Sequence, residues 1–167
     1  PLVPGIWVSV NIAGSELRRR ALVPTMIRLL EGTSLDARHI EVEIREDLLI
    51  RQLPMNSTLN LQRLRQLGVC LTLDNFGFAY ASMKSLSNLP LSRVKIDPSL
   101  VAGVSDNLQA RAIVKTTIDL TQNFGYELVA NGIETDEQLQ WLRLHGCDHG
   151  QGNFLGAPRQ ADGFLSG

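Results

Sequence analysis

The chain is poor in cysteine, in net charge and in long apolar runs, and each shortage removes a class of protein. Its two cysteines, Cys70 and Cys147, lie far apart on strand-like or pre-strand segments. Two small buried thiols are therefore expected, in a reducing setting and not in a disulfide scaffold. A net charge of −1 offers no cationic coat for a nucleic-acid polymer, and the single basic run, Arg18-Arg19-Arg20, reads as a solvated face. No apolar stretch reaches the length of a membrane span and no signal peptide opens the chain. The expected location is the cytoplasm, for a free protein or for the cytoplasmic module of a membrane-anchored one. His145, Cys147 and His149 have a spacing open to a zinc reading. The segment runs from a helix end through Gly146 into a strand and offers no second ligand pair, so metal is not expected there. Low-complexity segments, linkers and sequence-level repeats are also missing.

What is present suits one domain with a sizeable core: 167 residues, 44% apolar and 20% charged. Six strand-like segments can be read, five of them followed by a helical stretch. The first, Trp7–Asn11, alternates and ends in an amide. A helix is expected near Pro24, with Ile27 and Leu30 toward the core and Gly32 at its end. The second strand, His39–Ile44, places Ile40, Val42 and Ile44 on one face and Glu41 and Glu43 on the other. Leu61, Leu64 and Leu67 mark the next helix, closed by Gly68. The third strand runs through Leu71-Thr72-Leu73-Asp74 into Asn75-Phe76-Gly77. A connection, Ala79–Leu89, leads to the fourth, Arg93–Asp97, bounded by Pro90 and Pro98. A long helix over Leu108–Phe124 precedes a fifth strand, Glu127–Ile133. Thr135-x-x-Gln138 is a capping box for a helix through Leu139, Leu142 and Leu144. The sixth strand, about Asp148 to Leu155, has Gln151 and Asn153 on one face.

Alternation of β with α requires a parallel sheet, either a barrel or an open doubly wound sheet. Polar residues late in every strand favour the barrel, whose site gathers residues from many strands at one rim. Asn11, Glu41, Asp74 and Asp97 supply oxygen atoms and Lys95 a cation. Such a set suits Mg²⁺ or Mn²⁺, with Lys95 as a point charge on a phosphate or on a metal-bound water. A buried Lys95–Asp97 ion pair filling a barrel layer explains the same spacing equally well.

These segments resemble, in order and spacing, the EAL domain, the cyclic di-GMP phosphodiesterase barrel of bacterial signalling proteins. Ser9-Val10-Asn11 is similar to its SVN strand end, and Glu41-Val42 to the start of its E-[LIV]-T-E motif. Leu73 to Gly77 resembles its DDFG loop, and Val94-Lys95-Ile96-Asp97 its KID strand. Val129 to Thr135 resembles A-E-G-[VI]-E-T, and Gly146-Cys147-Asp148 with Gln151-Gly152 the closing G-[CA]-D-x-x-Q-G. The resemblance runs from about residue 6 to residue 158. It implies a (β/α)8 TIM-like barrel with one antiparallel strand. It also implies linearisation of cyclic di-GMP by a water activated between two Mg²⁺ or Mn²⁺ ions. Carried over by motif, Asn11, Glu41 and Asp74 match metal ligands. Lys95, Asn131 and Glu134 fall at catalytic or substrate-loop positions, and Asp97, Gln151 and Asn75 at substrate-facing ones.

The departures fall on the chemistry. Asn75 and Asn131 replace acids that hold the second metal, which removes anionic ligands and any general-base role. Ile44 stands where the last Glu of E-[LIV]-T-E anchors the loop, and Phe78-Ala79 replace a Thr-Gly pair. Glu43 replaces the motif's Thr. It either returns a carboxylate to the cluster or faces the rim and pairs with Lys or Arg. The EAL signature itself is missing. A barrel of this kind takes about 250 residues, so residues 1–167 are expected to be a partial EAL domain, the C-terminal two thirds, lacking the first β/α units.

The expectation is a degenerate domain that binds cyclic di-GMP or a protein partner without efficient hydrolysis. An active phosphodiesterase yielding linear pGpG is the alternative, and a ligand-independent scaffold a third. The resemblance implies attached GGDEF or sensory domains and raises homodimerisation through the region after the DDFG loop, which the altered Phe78-Ala79 pair leaves open.

Overall fold

The computed structural model describes residues 7–33, 35–50, 53–77 and 86–158. Among the described residues, six strands form one sheet: β1 Val8–Asn11, β2 Ile40–Arg45, β3 Cys70–Phe76, β4 Arg93–Ile96, β5 Glu127–Asn131 and β6 His149–Gln151. Every pair is parallel, and the spatial order is the sequence order, β1 through β6. A doubly wound sheet must reverse its order at a switch point, whereas a barrel wall never does. The unreversed order, curling as it goes, makes a parallel half-barrel and carries the α/β barrel expectation.

Paired residues of neighbouring strands share a face, so one residue type per face can be followed across the sheet. The outer face carries Val42, Ile44, Leu71, Leu73, Val94, Ile96, Leu128 and Ala130, all buried beneath helices. On the inner face stand Glu41, Glu43, Thr72 and Lys95, also buried. A sheet hydrophobic on one side and charged but enclosed on the other has an interior built for polar contacts.

The covering helices are α1 Gly14–Leu17, α2 Leu22–Thr33, α3 Asp47–Ile50, α4 Met55–Gln66, α5 Pro98–Ala102, α6 Leu108–Phe124 and α7 Asp136–Leu144. Short 3₁₀ turns lie at Ala37–His39 and Gly103–Ser105. Leu61 and Leu64 of α4 are fully buried against the sheet. Burying each such side chain is worth roughly 1.5–3 kcal/mol. Past the end of α4, Gly68 adopts φ +97°, which L side chains rarely take, and the Val69 N–H then donates to the Leu64 carbonyl at 3.1 Å. The Asn107 side chain caps α6 by accepting from the Gln109 and Ala110 N–H groups. Both bonds of the Thr135–Gln138 capping box form at the start of α7.

Some elements differ from expectation. Pro24 is the third residue of α2 and Gly32 lies inside its last turn. Leu144 faces solvent. The sixth strand stops at Gln151, and Asn153 lies in a turn. A Cβ on Gly152 would sit 2.1 Å from the Ile133 carbonyl oxygen, so the backbones touch there and the strand cannot continue straight. The Phe78-Ala79 pair and most of the Ala79–Leu89 connection fall outside the described residues. Among those described, no helix is long and apolar enough to cross a membrane.

Candidate active site

The inner face is organised in two layers. In the layer toward the C-terminal strand ends, the Lys95 ammonium donates to Glu43 Oε1 at 3.0 Å, with both side chains at least nine-tenths buried. Strand alternation places them there: Val42 and Ile44 take the outer face of β2, which turns Glu43 inward. Asn11 is the register partner of Glu43 on β1, and Thr72 its partner on β3. Asp74 follows Thr72 on the same face. Burial raises its carboxyl above the usual value. The Lys95 charge opposes that rise and the Glu43 charge adds to it. Thr72 Oγ1 is enclosed at this level without a hydrogen-bond partner.

At the rim, Asn75 takes φ 56°, a left-handed conformation that Asn tolerates better than most residues. Asn131 and Gln151 are register partners at the ends of β5 and β6. The Gln151 carbonyl accepts from Gly132 and Ile133 at 2.8 and 3.0 Å, tying that corner together. Asp97 is committed elsewhere. Its carboxylate caps α5, accepting from the Ser99 N–H at 2.8 Å and from the Ser99 hydroxyl. The Lys95–Asp97 ion pair is thus replaced by Lys95–Glu43, because Pro98 starts a helix that needs a cap. Glu134 is exposed ahead of α7, with its N–H on Gln138 Oε1 at 2.7 Å.

The structure therefore gathers Asn11, Asp74 and Lys95 around Glu43 and pairs Asn131 with Gln151. Glu41 is not part of that group. It belongs to the second layer, where its carboxylate takes Arg93 Nη1 at 2.7 Å. Arg93 Nε reaches Glu127 at 2.6 Å, and its guanidinium lies 4.5 Å from the Trp7 ring centroid. His149 Nε2 stands 3.4 Å from the same Glu127 carboxylate. The Arg93 hydrogen bond, above all, holds Glu127 below the usual carboxylate value. Burial disfavours the Arg93 charge, yet its bonds to Glu127 and Glu41 leave it above its ordinary value. Between the layers is a cavity of about 280 Å³ lined by Ser9, Glu41, Arg93, Lys95, His149 and Gln151.

The loop anchor is also relocated. Ile44 points into the core, fully buried. The carboxylate that accepts the Gly77 N–H, at 3.1 Å, belongs to buried Glu46. Glu43-Ile44-Arg45-Glu46 consequently fits E-[LIV]-x-E, two residues beyond the register set at Glu41, with Arg45 at the Thr position. Glu46 had a signal in the sequence: its three-residue spacing from Glu43. Glu43 pairs with a lysine, as one of its two readings had it, but in the interior and not at the rim.

The cysteine region takes separate partners. His145 stacks on Trp141 with ring centroids 3.9 Å apart, while His149 faces Glu127. Burial pushes the Cys147 thiol up to about 11. Among the described residues, no three His, Cys, Asp or Glu side chains are grouped to hold a metal.

A parallel half-barrel with a charged, enclosed interior and polar side chains at its C-terminal strand ends is the architecture of a barrel-rim site. The EAL-domain family model matches residues 3–158, and the chain belongs to the EAL-domain family. It is 36% identical over 151 residues to the cyclic di-GMP phosphodiesterase NbdA of Pseudomonas aeruginosa, covering 90% of this chain and 19% of that protein. It superposes on the cyclic di-GMP complex of the MucR phosphodiesterase of the same organism with a TM-score of 0.88 at 30% identity, covering 95% of this chain and 64% of that one. A manganese/cyclic di-GMP complex of Klebsiella pneumoniae BlrP1 matches at TM-score 0.80 and 25% identity, covering 87% and 37% of the two chains. The chain spans 19% of the length of several curated relatives and 41% of RocR from Pseudomonas aeruginosa.

Proposed function

We propose that this chain is a degenerate EAL domain that binds cyclic di-GMP at the C-terminal rim of its strands and does not hydrolyse it efficiently. The carrying observation is the make-up of the rim, where Asn75 and Asn131 stand at positions that the family pattern fills with acids. The relatives named above support the ligand. Their greater length supports further domains through which binding is signalled, to a partner or to a second copy.

The donor set fits one hard cation. Asn11 offers an amide oxygen and Glu43 and Asp74 carboxylates, an all-oxygen group suited to Mg²⁺ or Mn²⁺. Glu43 takes the ligand position assigned from sequence to Glu41, whose carboxylate is tied to Arg93. The residues do not fit a second ion, because two neutral amides replace its acids. Bound divalent metal would polarise a phosphate oxygen and lower the pKa of a bound water. Lys95 supplies positive charge beside the phosphate. Gln151, Asn131 and Asn75 offer neutral donors and acceptors to ligand oxygens at the rim. Asp97 shapes the start of α5, and Glu134 the loop before α7. None of the rim amides can accept a proton from water, so Asn75 and Asn131 do not supply the base that acids at those positions would.

Calorimetric titration of the full chain with cyclic di-GMP and Ca²⁺ tests binding, and chromatography after incubation with Mn²⁺ tests cleavage. Binding without linear pGpG is expected. Multiple turnovers to pGpG would overturn the loss of hydrolysis, and absence of any binding heat would overturn the ligand.

A second reading, the active phosphodiesterase, is favoured by one observation: the Glu46–Gly77 anchor is intact. It lowers the number of departures from the family pattern, so the missing acids carry more of the argument for lost hydrolysis. Asn75→Asp with Asn131→Glu separates the readings. A gain of pGpG production in the double variant supports degeneracy through charge loss. An unchanged, already high rate supports the active enzyme.

A further inference from the structure

We propose that Lys95 is the resident counter-ion of Glu43 and keeps divalent metal weakly bound in this chain. The inference rests on the one-cation reading of the site and concerns what competes for it. The ammonium sits 3.0 Å from Glu43 Oε1 with both groups out of water, so the pair is oriented and poorly screened. Arg93, the other buried cation of β4, is already taken by Glu41 and Glu127 in the layer below, and Arg45, two residues past Glu43, is largely exposed and lies 3.4 Å from Asp47. Among the described residues, Lys95 is the cation bonded to Glu43 and the one an entering metal would displace. On the neighbouring strands the inward groups at this level are Asn11 and Thr72, both neutral.

Two carboxylates, Glu43 and Asp74, face one buried ammonium, which leaves one net negative charge among these three groups to attract a divalent ion; the exposed Arg45 adds a weaker positive field at Asp74. The family pattern adds acids at the positions of Asn75 and Asn131, and with them the same ammonium would leave three. In this chain Lys95 cancels half of the anionic charge instead of a quarter. Metal must either pull Glu43 from Lys95 or bind close to a like charge. Each route carries a Coulombic energy cost that grows as 1/r at close range.

The test is Mn²⁺ alone, followed by the loss of its free-ion paramagnetic resonance signal, with the full chain and two variants. Lys95→Met keeps the length of the side chain and removes the charge. It is expected to bind Mn²⁺ at least about tenfold more tightly than the unaltered chain, a modest part of a unit charge's effect at contact distance. Lys95→Arg keeps the charge and is expected to bind as weakly as the unaltered chain. The proposal is overturned if Lys95→Met binds no more tightly, or if Lys95→Arg gains as much as Lys95→Met. Removing Lys95 leaves Glu43 buried and unpaired, so Lys95→Met could fail to fold without metal. Circular dichroism during Mn²⁺ addition then decides: recovery of the folded signal supports the proposal, and no recovery at saturating Mn²⁺ overturns it. No nucleotide enters this titration, so its failure leaves the cyclic di-GMP binding and cleavage assays standing.

Discussion

The two inner layers of the half-barrel use the same kinds of side chain to opposite ends. In the layer around Arg93, the guanidinium meets two carboxylates at 2.7 and 2.6 Å, and Trp7 and His149 close the group. In the layer around Lys95, one carboxylate is paired, Asp74 is pushed toward its neutral form and Thr72 has no partner. The lower layer is internally satisfied and serves the fold. The upper layer is incompletely satisfied and lies toward the C-terminal strand ends, where barrels of this type place their chemistry. A polar interior does not by itself mark a site; unmet hydrogen-bonding and charge demand does.

The contrast can be broken most directly at Arg93. Arg93→Met strands Glu41 in the interior and should cost about 3 kcal/mol or more in urea unfolding. A loss below about 1 kcal/mol would mean that Glu41 finds water or another partner, and that the lower layer is no more structural than the upper. Glu46→Gln tests the link from β2 to the loop after β3. It weakens a charged hydrogen bond to the Gly77 N–H and should cost roughly 1–2 kcal/mol. Amide exchange at Gly77 should accelerate as well, and unchanged protection there would remove Glu46 as the anchor.

Thr72→Val sharpens the comparison with a smaller effect of the opposite sign. It deletes a buried hydroxyl that has no partner, keeps the side-chain shape, and should be neutral or stabilising by up to about 1 kcal/mol. A clear loss of stability would show that the hydroxyl bonds to something in solution.

The pH dependences should also diverge. Glu127 has a folded pKa below its ordinary 4.5, so its contribution is present above that value and fades as pH falls through the depressed one. Asp74 has a raised folded pKa, so its contribution is present in acid and is lost as pH rises through that pKa. Unfolding curves of Glu127→Gln and Asp74→Asn across about pH 3 to 7 should therefore differ from the parent in opposite directions. Parallel curves would contradict the distinction between the layers.

Much of this was legible in the sequence because it follows from local rules. Alternation over Ile40–Ile44 and Leu71–Asp74 assigns strands and faces with no knowledge of neighbours. Leu108–Phe124 is bounded by an amide cap and a glycine, and Thr135 with Gln138 announces a helix start. The run of motifs from Asn11 to Gln151 marks the EAL family. The height of a side chain along the barrel is another matter. Glu41 and Glu43 share a strand and a face, so a period of two cannot say which enters the site. Pairing with Asn11 on one side and the reach of Lys95 and Arg93 from β4 decide it. Asp97 likewise matched Lys95 in spacing, until the helix beginning at Pro98 claimed its carboxylate as a cap. Glu46 lies just beyond its strand and acts on Gly77 of another, a partnership made by folding. The sequence by itself determined the elements, their faces and the identity of the polar groups, since those depend on residues a few positions apart. Only the tertiary structure decided which polar groups meet, because register between strands is set by contacts far apart along the chain.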